Sequence, residues 1–496
     1  MAERDAIVVG AGLGGLAAAI ELAARGWRVR VLEGASVPGG KAGVVTVDGV
    51  EADTGPSVLT LPDVLDAVLR AGGSSLADEL ELRAPSPAFR YLWPDGAALD
   101  VAHRADETLA NVGAALGGAA ERELSSFLAY SKRIWDAAAP NFVLGPAPSV
   151  LGVAKLGLRA FALVADIDSL RAMERAITTR VRDPHLRDLL GRYATYNGSD
   201  LRAAPATLNC IAHLELVGGG FGVTGGMYAV VRALVRVAER QGVEVRCGCP
   251  VTRILVEGGR VTGVEAGGER LDAAVVVVNA DVGALLPGAP GGLLGPEVRS
   301  GLAIEAPRSM SGWTGILRAR RGAPRAAHTV LFPGRSYAEE FADIFDRDQP
   351  PVEPTVYLCA QEACHGRAGW AAEEPVFVMV NAPAEPATGV RDPALWARVE
   401  ATAMARLRGA GLADATDTLV WRRTPAELAA RFPGSRGALY GAASNTTFSA
   451  FRRPANTVPK VPGLFLASGS AHPGGGMPLC LQSGRQAAAE VGAPTG

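Results

Sequence analysis

The chain is 496 residues long, which allows about two or three domains' worth of buried core. Lysine plus arginine (49) nearly balance aspartate plus glutamate (51), a net charge of −2 that argues against a nucleic-acid partner. Two uncharged stretches, 137–154 and 461–484, are broken by prolines and glycines, so neither reads as a membrane-spanning helix. The first predicted strand begins within six residues of the start, which leaves no room for a signal peptide and points to a cytoplasmic protein.

Ala6–Val9 is a short apolar run with the character of a buried strand. Gly10, Gly12 and Gly15 then complete a G-x-G-x-x-G, a helix is predicted over Leu16–Ala24, and a second strand, Trp27–Leu32, ends at Glu33. Each part has a task at a dinucleotide. Gly10 permits the tight turn, Gly12 lets backbone approach a pyrophosphate, and Gly15 lets helix and strand pack closely. The helix N-terminus offers unpaired N–H groups to the phosphates, and Glu33 offers oxygens to ribose hydroxyls. The order fits NAD or FAD.

Glycine fills 61 of 496 positions, so the bare pattern should arise by chance roughly once in such a chain. A second match does occur, at Gly220, Gly222 and Gly225, with a predicted helix behind it over Tyr228–Arg240. Its context fails. His213–Val217 makes a poor strand, and Glu244 opens the next strand instead of closing one.

Between these matches lie Pro38-Gly39-Gly40-Lys41, a turn whose cation can face phosphates, and Asp53-Thr54-Gly55-Pro56-Ser57 ahead of a helix near Pro62–Ala71. Residues 75–220 carry long helical patterns (Glu121–Ala138, Ser169–Arg182) and few strand signals, which reads as a helical cap. Val243–Val256 and Arg260–Glu265 read as paired strands around Gly258-Gly259, and Leu271–Ala280 as a buried strand. A mixed segment follows, with strands near Thr355–Ala360 and Pro375–Asn381. The chain closes with an apolar strand in 463–469, the loop Ser470–Pro478 and a helix through Ser483–Val491, whose N-terminus could stabilise negative charge. The fold expected is α/β: a Rossmann-type domain from 1–75, 222–288 and 456–496, with a mixed α+β substrate domain and helical cap from 76–221 and 289–455.

The six cysteines (Cys210, Cys247, Cys249, Cys359, Cys364, Cys480) form no C-x-x-C framework, as suits a reducing compartment. Cys359, Cys364 and His365 offer three metal ligands, but no fourth follows at suitable spacing, so buried thiols and no metal are expected.

Taken together, Gly39-Gly40-Lys41, Asp53-Thr54-Gly55-Pro56-Ser57, Tyr196-Asn197-Gly198-Ser199, Ala204-Pro205-Ala206-Thr207-Leu208-Asn209, Gly225-Gly226-Met227 and His472-Pro473-Gly474-Gly475-Gly476 resemble the amine-oxidase-like FAD superfamily. Within it the chain resembles the bacterial carotenoid (phytoene-type) desaturases over essentially its whole length. The tail HPGGGMPLCLQSGRQAA is more similar to hydroxycarotenoid 3,4-desaturases. The resemblance implies FAD contacts at Gly10, Gly12, Gly15, Glu33, Gly40, Lys41 and Gly55, a backbone contact at Val251, and Gly469, Ser470 and Met477 near the flavin. Many superfamily members carry an acidic residue where Ser470 stands.

The activity implied is desaturation of an acyclic carotenoid, with hydride passing from the polyene end to flavin N5 and 3,4-desaturation of a 1-hydroxycarotenoid favoured. Phytoene desaturation, redox-neutral carotenoid isomerisation and flavin amine oxidation stay open. His472 is the one acid–base candidate, able to titrate near neutral pH. A lipophilic substrate implies a protein held peripherally at a membrane surface. The apolar stretch 141–165, with Lys155 and Arg159 four apart, is the candidate contact.

Overall fold

The computed structural model describes residues 4–148, 159–286, 289, 291–303, 307–446 and 453–494. A five-stranded parallel sheet organises the cofactor side. Its strands are β1 (Asp5–Val9), β2 (Arg28–Leu32), β3 (Glu244–Arg246), β4 (Val275–Val278) and β5 (Leu464–Leu466), in the order β5-β4-β1-β2-β3. Three distant parts of the chain therefore meet in one sheet. The runs AIVV and VVVV sit in its middle because both faces are covered, so every side chain there is apolar. Helix α1 (Leu13–Ala24) covers one face together with α2 (Tyr228–Arg240) and α3 (Met477–Val491). Leu16, Ile20 and Leu22 of α1 are fully buried, each contributing about 1.5–3 kcal/mol.

Two predicted strands divide. Val243–Val256 becomes β3 in the parallel sheet and Val251–Glu257 in a separate antiparallel sheet with Arg260–Ala266 and Glu269–Asp272. The break falls at Cys247–Pro250, where Gly248 and Cys249 turn back to donate to Ala35 and Glu33 carbonyls, both at 2.8 Å. Leu271–Ala280 likewise splits into Glu269–Asp272 and β4.

The second layer is a seven-stranded sheet of Thr418–Arg423, Ser311–Arg320, Glu373–Ala382, Val356–Ala360, His328–Leu331, Phe89–Leu92 and Ala98–Val101, in that order. The last two come from the region expected to lack apolar strands. They are four residues each, and their alternation (Phe89 and Tyr91 inward, Arg90 and Leu92 less buried) is too short to stand out beside the helices. Helix Pro393–Gly409 packs one face through Trp396, Val399 and Leu407. Helices Gly118–Ala138, Pro184–Gly191 and Cys210–Leu216 close the other around Phe89, Tyr91 and Phe127. Within Ser169–Arg182 only Met173–Thr178 is helical.

No helix among the described residues is long and apolar enough to cross a membrane. Of the stretch 141–165, residues 149–158 and the side chains of 159–162 lie outside the described residues, Lys155 and Arg159 included. Its start is tied to α3: the Leu144 carbonyl accepts from Gln482 and Gln486, each at 2.7 Å.

Candidate active site

β1 hands the chain to α1 through Gly10, whose φ of +99° an L side chain rarely adopts. α1 begins after Gly12 with no capping side chain, so the N–H groups of its first turn stay available to an anion. A Cβ at Gly15 would lie 2.1 Å from the Gly10 carbonyl oxygen, and one at Gly12 would lie 2.4 Å from Asn279 Oδ1. Asn279 leaves β4 beneath the loop, donating its backbone N–H to Val9 at 2.8 Å and its side-chain amide to the Ala467 carbonyl. It braces the loop from the neighbouring strand, a role the run VVVVNA does not reveal until β4 is placed beside β1.

Glu33 stands at the end of β2 with its carboxylate turned back to the loop. Oε2 accepts from Ala11 N–H at 2.7 Å and Oε1 from Ala35 N–H at 2.8 Å. Two backbone donors fix its orientation and leave lone pairs for hydroxyls. Val251 opens its strand directly after the turn that returns to Glu33 and Ala35.

The Gly39-Gly40 turn lies against the loop, Gly39 donating to the Ala11 carbonyl at 2.8 Å. Gly55 packs on the same turn, where a Cβ would meet the Lys41 carbonyl oxygen at 2.1 Å. Lys41 differs from the phosphate-facing cation expected. Its ammonium donates to the Ala438 and Leu439 carbonyls at 2.9 and 3.0 Å and lies 5.6 Å from the Phe432 ring centre. Burial pushes its pKa down, opposed by Asp281 and Cys480.

Asp53 sits behind the second glycine match. Its buried carboxylate accepts from Met227 N–H at 2.7 Å and Tyr228 N–H at 3.1 Å, and pairs with Arg367 Nη2 at 3.0 Å. The α2 N-terminus is thus occupied by the protein's own anion.

The C-terminal loop offers a second free helix start, since α3 follows Gly476 without a side-chain cap. Met477 is its first residue and is buried, and Gly469 packs on Gly475. The Ser470 hydroxyl is engaged within the protein, accepting from Val282 N–H at 2.9 Å beside Ser468 Oγ at 3.0 Å. His472 is buried, with Nε2 3.0 Å from the Gly145 carbonyl; this contact assigns the proton to Nε2 and leaves Nδ1 as acceptor. Burial lowers its pKa, so the ring is neutral near pH 7.

Arg453 draws the two layers together. It donates to the Tyr440 and Gly469 carbonyls at 2.8 and 3.1 Å and to Asn197 Oδ1 at 3.0 Å. Burial lowers its pKa to about 10, which leaves it charged. A lone arginine in a loop carries no sequence signal for this part.

The thiols also gather. Cys359, Cys364 and His328 present ligand atoms within 4.8 Å of one another, all buried. His328, not the adjacent His365, completes the trio, because strand 328–331 pairs beside Val356–Ala360. His365 accepts from Val223 N–H through Nδ1 at 3.2 Å. The hydrogen bond with Cys359, aided by His328, pulls Cys364 toward thiolate, while burial holds Cys359 protonated. Such a set suits a soft divalent ion or a thiol–thiolate pair.

The glycine loop that tolerates no Cβ, the uncapped α1 and the acid closing β2 define a dinucleotide-binding oxidoreductase. The chain belongs to the family described as flavin containing amine oxidoreductase, matched over residues 13–358, and is an FAD-dependent enzyme of its carotenoid-desaturase branch. It is 38% identical to a hydroxyneurosporene desaturase of Rubrivivax gelatinosus, over 97% of this chain and 92% of that one. It is 37% identical to a protein of the same description from Rhodobacter capsulatus, over 98% and 97%. A 1-hydroxycarotenoid 3,4-desaturase of a Flavobacterium species is 29% identical, over 97% and 98%. Among solved structures, an oxidoreductase from Methanosarcina mazei shares the fold with a TM-score of 0.61 at 15% identity, covering 97% and 98% of the two chains. A putrescine oxidase bound to putrescine gives 0.61 at 18%, covering 98% of each.

Proposed function

We propose that this protein introduces the 3,4 double bond into a 1-hydroxylated acyclic carotenoid. The full-length likeness to hydroxyneurosporene desaturases carries the reading, and the largely apolar second layer is compatible with a hydrocarbon substrate. Gly10, Gly12 and Gly15 bring backbone to the FAD pyrophosphate, Glu33 takes the ribose, and Val251 borders the adenosine end. Gly40, Lys41 and Gly55 support the loop, while Gly469, Ser470 and Met477 line the ring side. Bound FAD supplies a hydride acceptor at its ring N5.

The protein's own work is positioning and exclusion of water. Arg453 fixes the Asn197–Ser199 turn against Gly469, which holds the substrate layer at a set distance from the α3 loop. An extended polyene delocalises charge developing at an allylic carbon, so no strong base is required. His472 Nδ1 is the proton acceptor the loop offers. Peripheral attachment to a membrane, near residues 141–165, would deliver the substrate.

Expression in a host that accumulates 1-hydroxylated acyclic carotenoids tests the reading. The expected product is lighter by two hydrogens and absorbs further to the red. An isomer of unchanged mass, or an unaltered pigment profile, overturns it.

A further inference from the structure

We infer that Arg192, with Tyr91, Tyr196 and Glu215, is the anchor for the hydroxyl end of the substrate. This rests on the desaturase reading above and adds the residues that choose between hydroxylated and plain polyenes.

The site is an arginine buried among rings. The Arg192 side chain is 9% exposed, and its guanidinium carbon lies 5.5 Å from the Phe89 ring centre, 5.7 Å from Tyr91, 5.1 Å from Tyr196 and 5.7 Å from Tyr357. Nη1 donates to the Tyr91 and Tyr196 hydroxyls, both at 3.2 Å, and lies 3.8 Å from Glu215 Oε1. Glu215 accepts from Tyr193 at 3.0 Å and from Tyr196. Among the described residues Nη2 and Nε have no hydrogen-bond partner, and neither is sealed off by neighbouring atoms. These two nitrogens are therefore free to donate charge-assisted hydrogen bonds to a polar group that arrives beside the rings.

Its position matches the chemistry. Arg192 opens the short helix Arg192–Asn197, whose last residue Arg453 ties to Gly469 of the C-terminal loop. At ~2.0 Å rise per residue, that helix sets the Arg192 backbone ~10 Å from its flavin-side end. Tyr357, over the same guanidinium, bonds Ser57 Oγ at 2.5 Å and so touches the Asp53–Ser57 turn as well. In 3,4-desaturation of a 1-hydroxylated chain, the bond oxidised begins two carbons from the carbinol carbon. The hydroxyl must therefore be held close to the reacting atoms. Its oxygen accepts from Arg192, and its proton goes to a phenol oxygen. Burial keeps the phenols of Tyr91 and Tyr196 protonated, so they serve as neutral partners, and Glu215 balances the arginine's charge. A plain hydrocarbon end would leave these donors unpaired, which is the basis of strong rejection.

The test compares wild type with an Arg192→Met/Glu215→Gln double variant, which strands no charge, and with Tyr196→Phe. Each is given a 1-hydroxylated acyclic carotenoid and its non-hydroxylated parent in liposomes. Both kcat/KM and binding, read by quenching of protein fluorescence, are measured. Wild type should prefer the hydroxylated chain by roughly 10–100-fold, the scale of a hydrogen bond to a charged group. The ratio should fall toward unity in the double variant and several-fold in Tyr196→Phe. Equal treatment of both polyenes by wild type, or an unchanged ratio in the variants, overturns the assignment. If wild type binds the hydroxylated chain selectively through Arg192 yet oxidises neither, the reaction reading fails and the anchor stands.

Discussion

Gly15→Ala and Gly225→Ala set the two glycine motifs against each other. At Gly15 the added methyl would lie 2.1 Å from the Gly10 carbonyl oxygen and 3.1 Å from Asn279 Cβ. Neither neighbour can step aside, because the Gly10–Ala11 loop is held by Glu33 and Asn279 lies under it. α1 must therefore withdraw by roughly 1 Å from the phosphate position, at about 1–3 kcal/mol for an overpacked contact. At 1.4 kcal/mol per tenfold, FAD should bind ~10–100-fold more weakly. Gly225 has φ +82° and nothing within 4 Å of an added Cβ. The same substitution there costs about 1–2 kcal/mol of backbone strain and leaves FAD affinity within about twofold. The assay is titration of the apoprotein with FAD, followed by flavin fluorescence, beside a denaturation curve for each variant. Wild-type affinity in Gly15→Ala, or comparable flavin loss in both variants, would refute the assignment of the cofactor to the first motif.

Three further outcomes are expected. Asp53→Ala leaves buried Arg367 with Glu51 as its one carboxylate, at 3.3 Å, and uncaps α2, so denaturant unfolding should show a loss of about 3 kcal/mol; a change below ~1 kcal/mol would contradict that pairing. His472 has a folded pKa depressed by burial below its ordinary 6.5, so the unfolded chain takes up the proton first and stability is lost as pH falls through that range. His472→Gln, whose amide nitrogen takes the place of Nε2 and can still donate to the Gly145 carbonyl, should lose less stability than wild type between about pH 7 and pH 5, and an equal loss would count against it. Cys247 is exposed while Cys210, Cys359 and Cys364 are buried, so a thiol reagent should modify Cys247 quickly in the native protein and the buried three only after unfolding. Fast native labelling of Cys359 or Cys364 would show the cluster to be open.

The parts legible in the sequence were those that are local. The strand–glycine–helix–acid order of 6–33 needs only neighbours in the chain, and its residues lie together at one end of the parallel sheet. The second motif could be rejected on context, but the physical reason, Asp53 filling the α2 N-terminus, comes from a residue 174 positions away. Lys41 could be read as a phosphate-facing cation until its two carbonyl acceptors, from 438 and 439, were placed. His328 carries no sequence signal as the third member of the thiol cluster, because strand pairing supplies it from 31 residues before Cys359. Arg192 stood inside a plain helical pattern, and only the convergence of four rings around its guanidinium distinguishes it.

The central claim is tested most directly by anaerobic mixing of the FAD-loaded protein with a 1-hydroxylated acyclic carotenoid in liposomes. Loss of the oxidised-flavin band should proceed together with a red shift of the polyene, one flavin reduced for each double bond formed. A flavin that stays oxidised while the carotenoid is bound, or that bleaches only with an amine, would contradict the account.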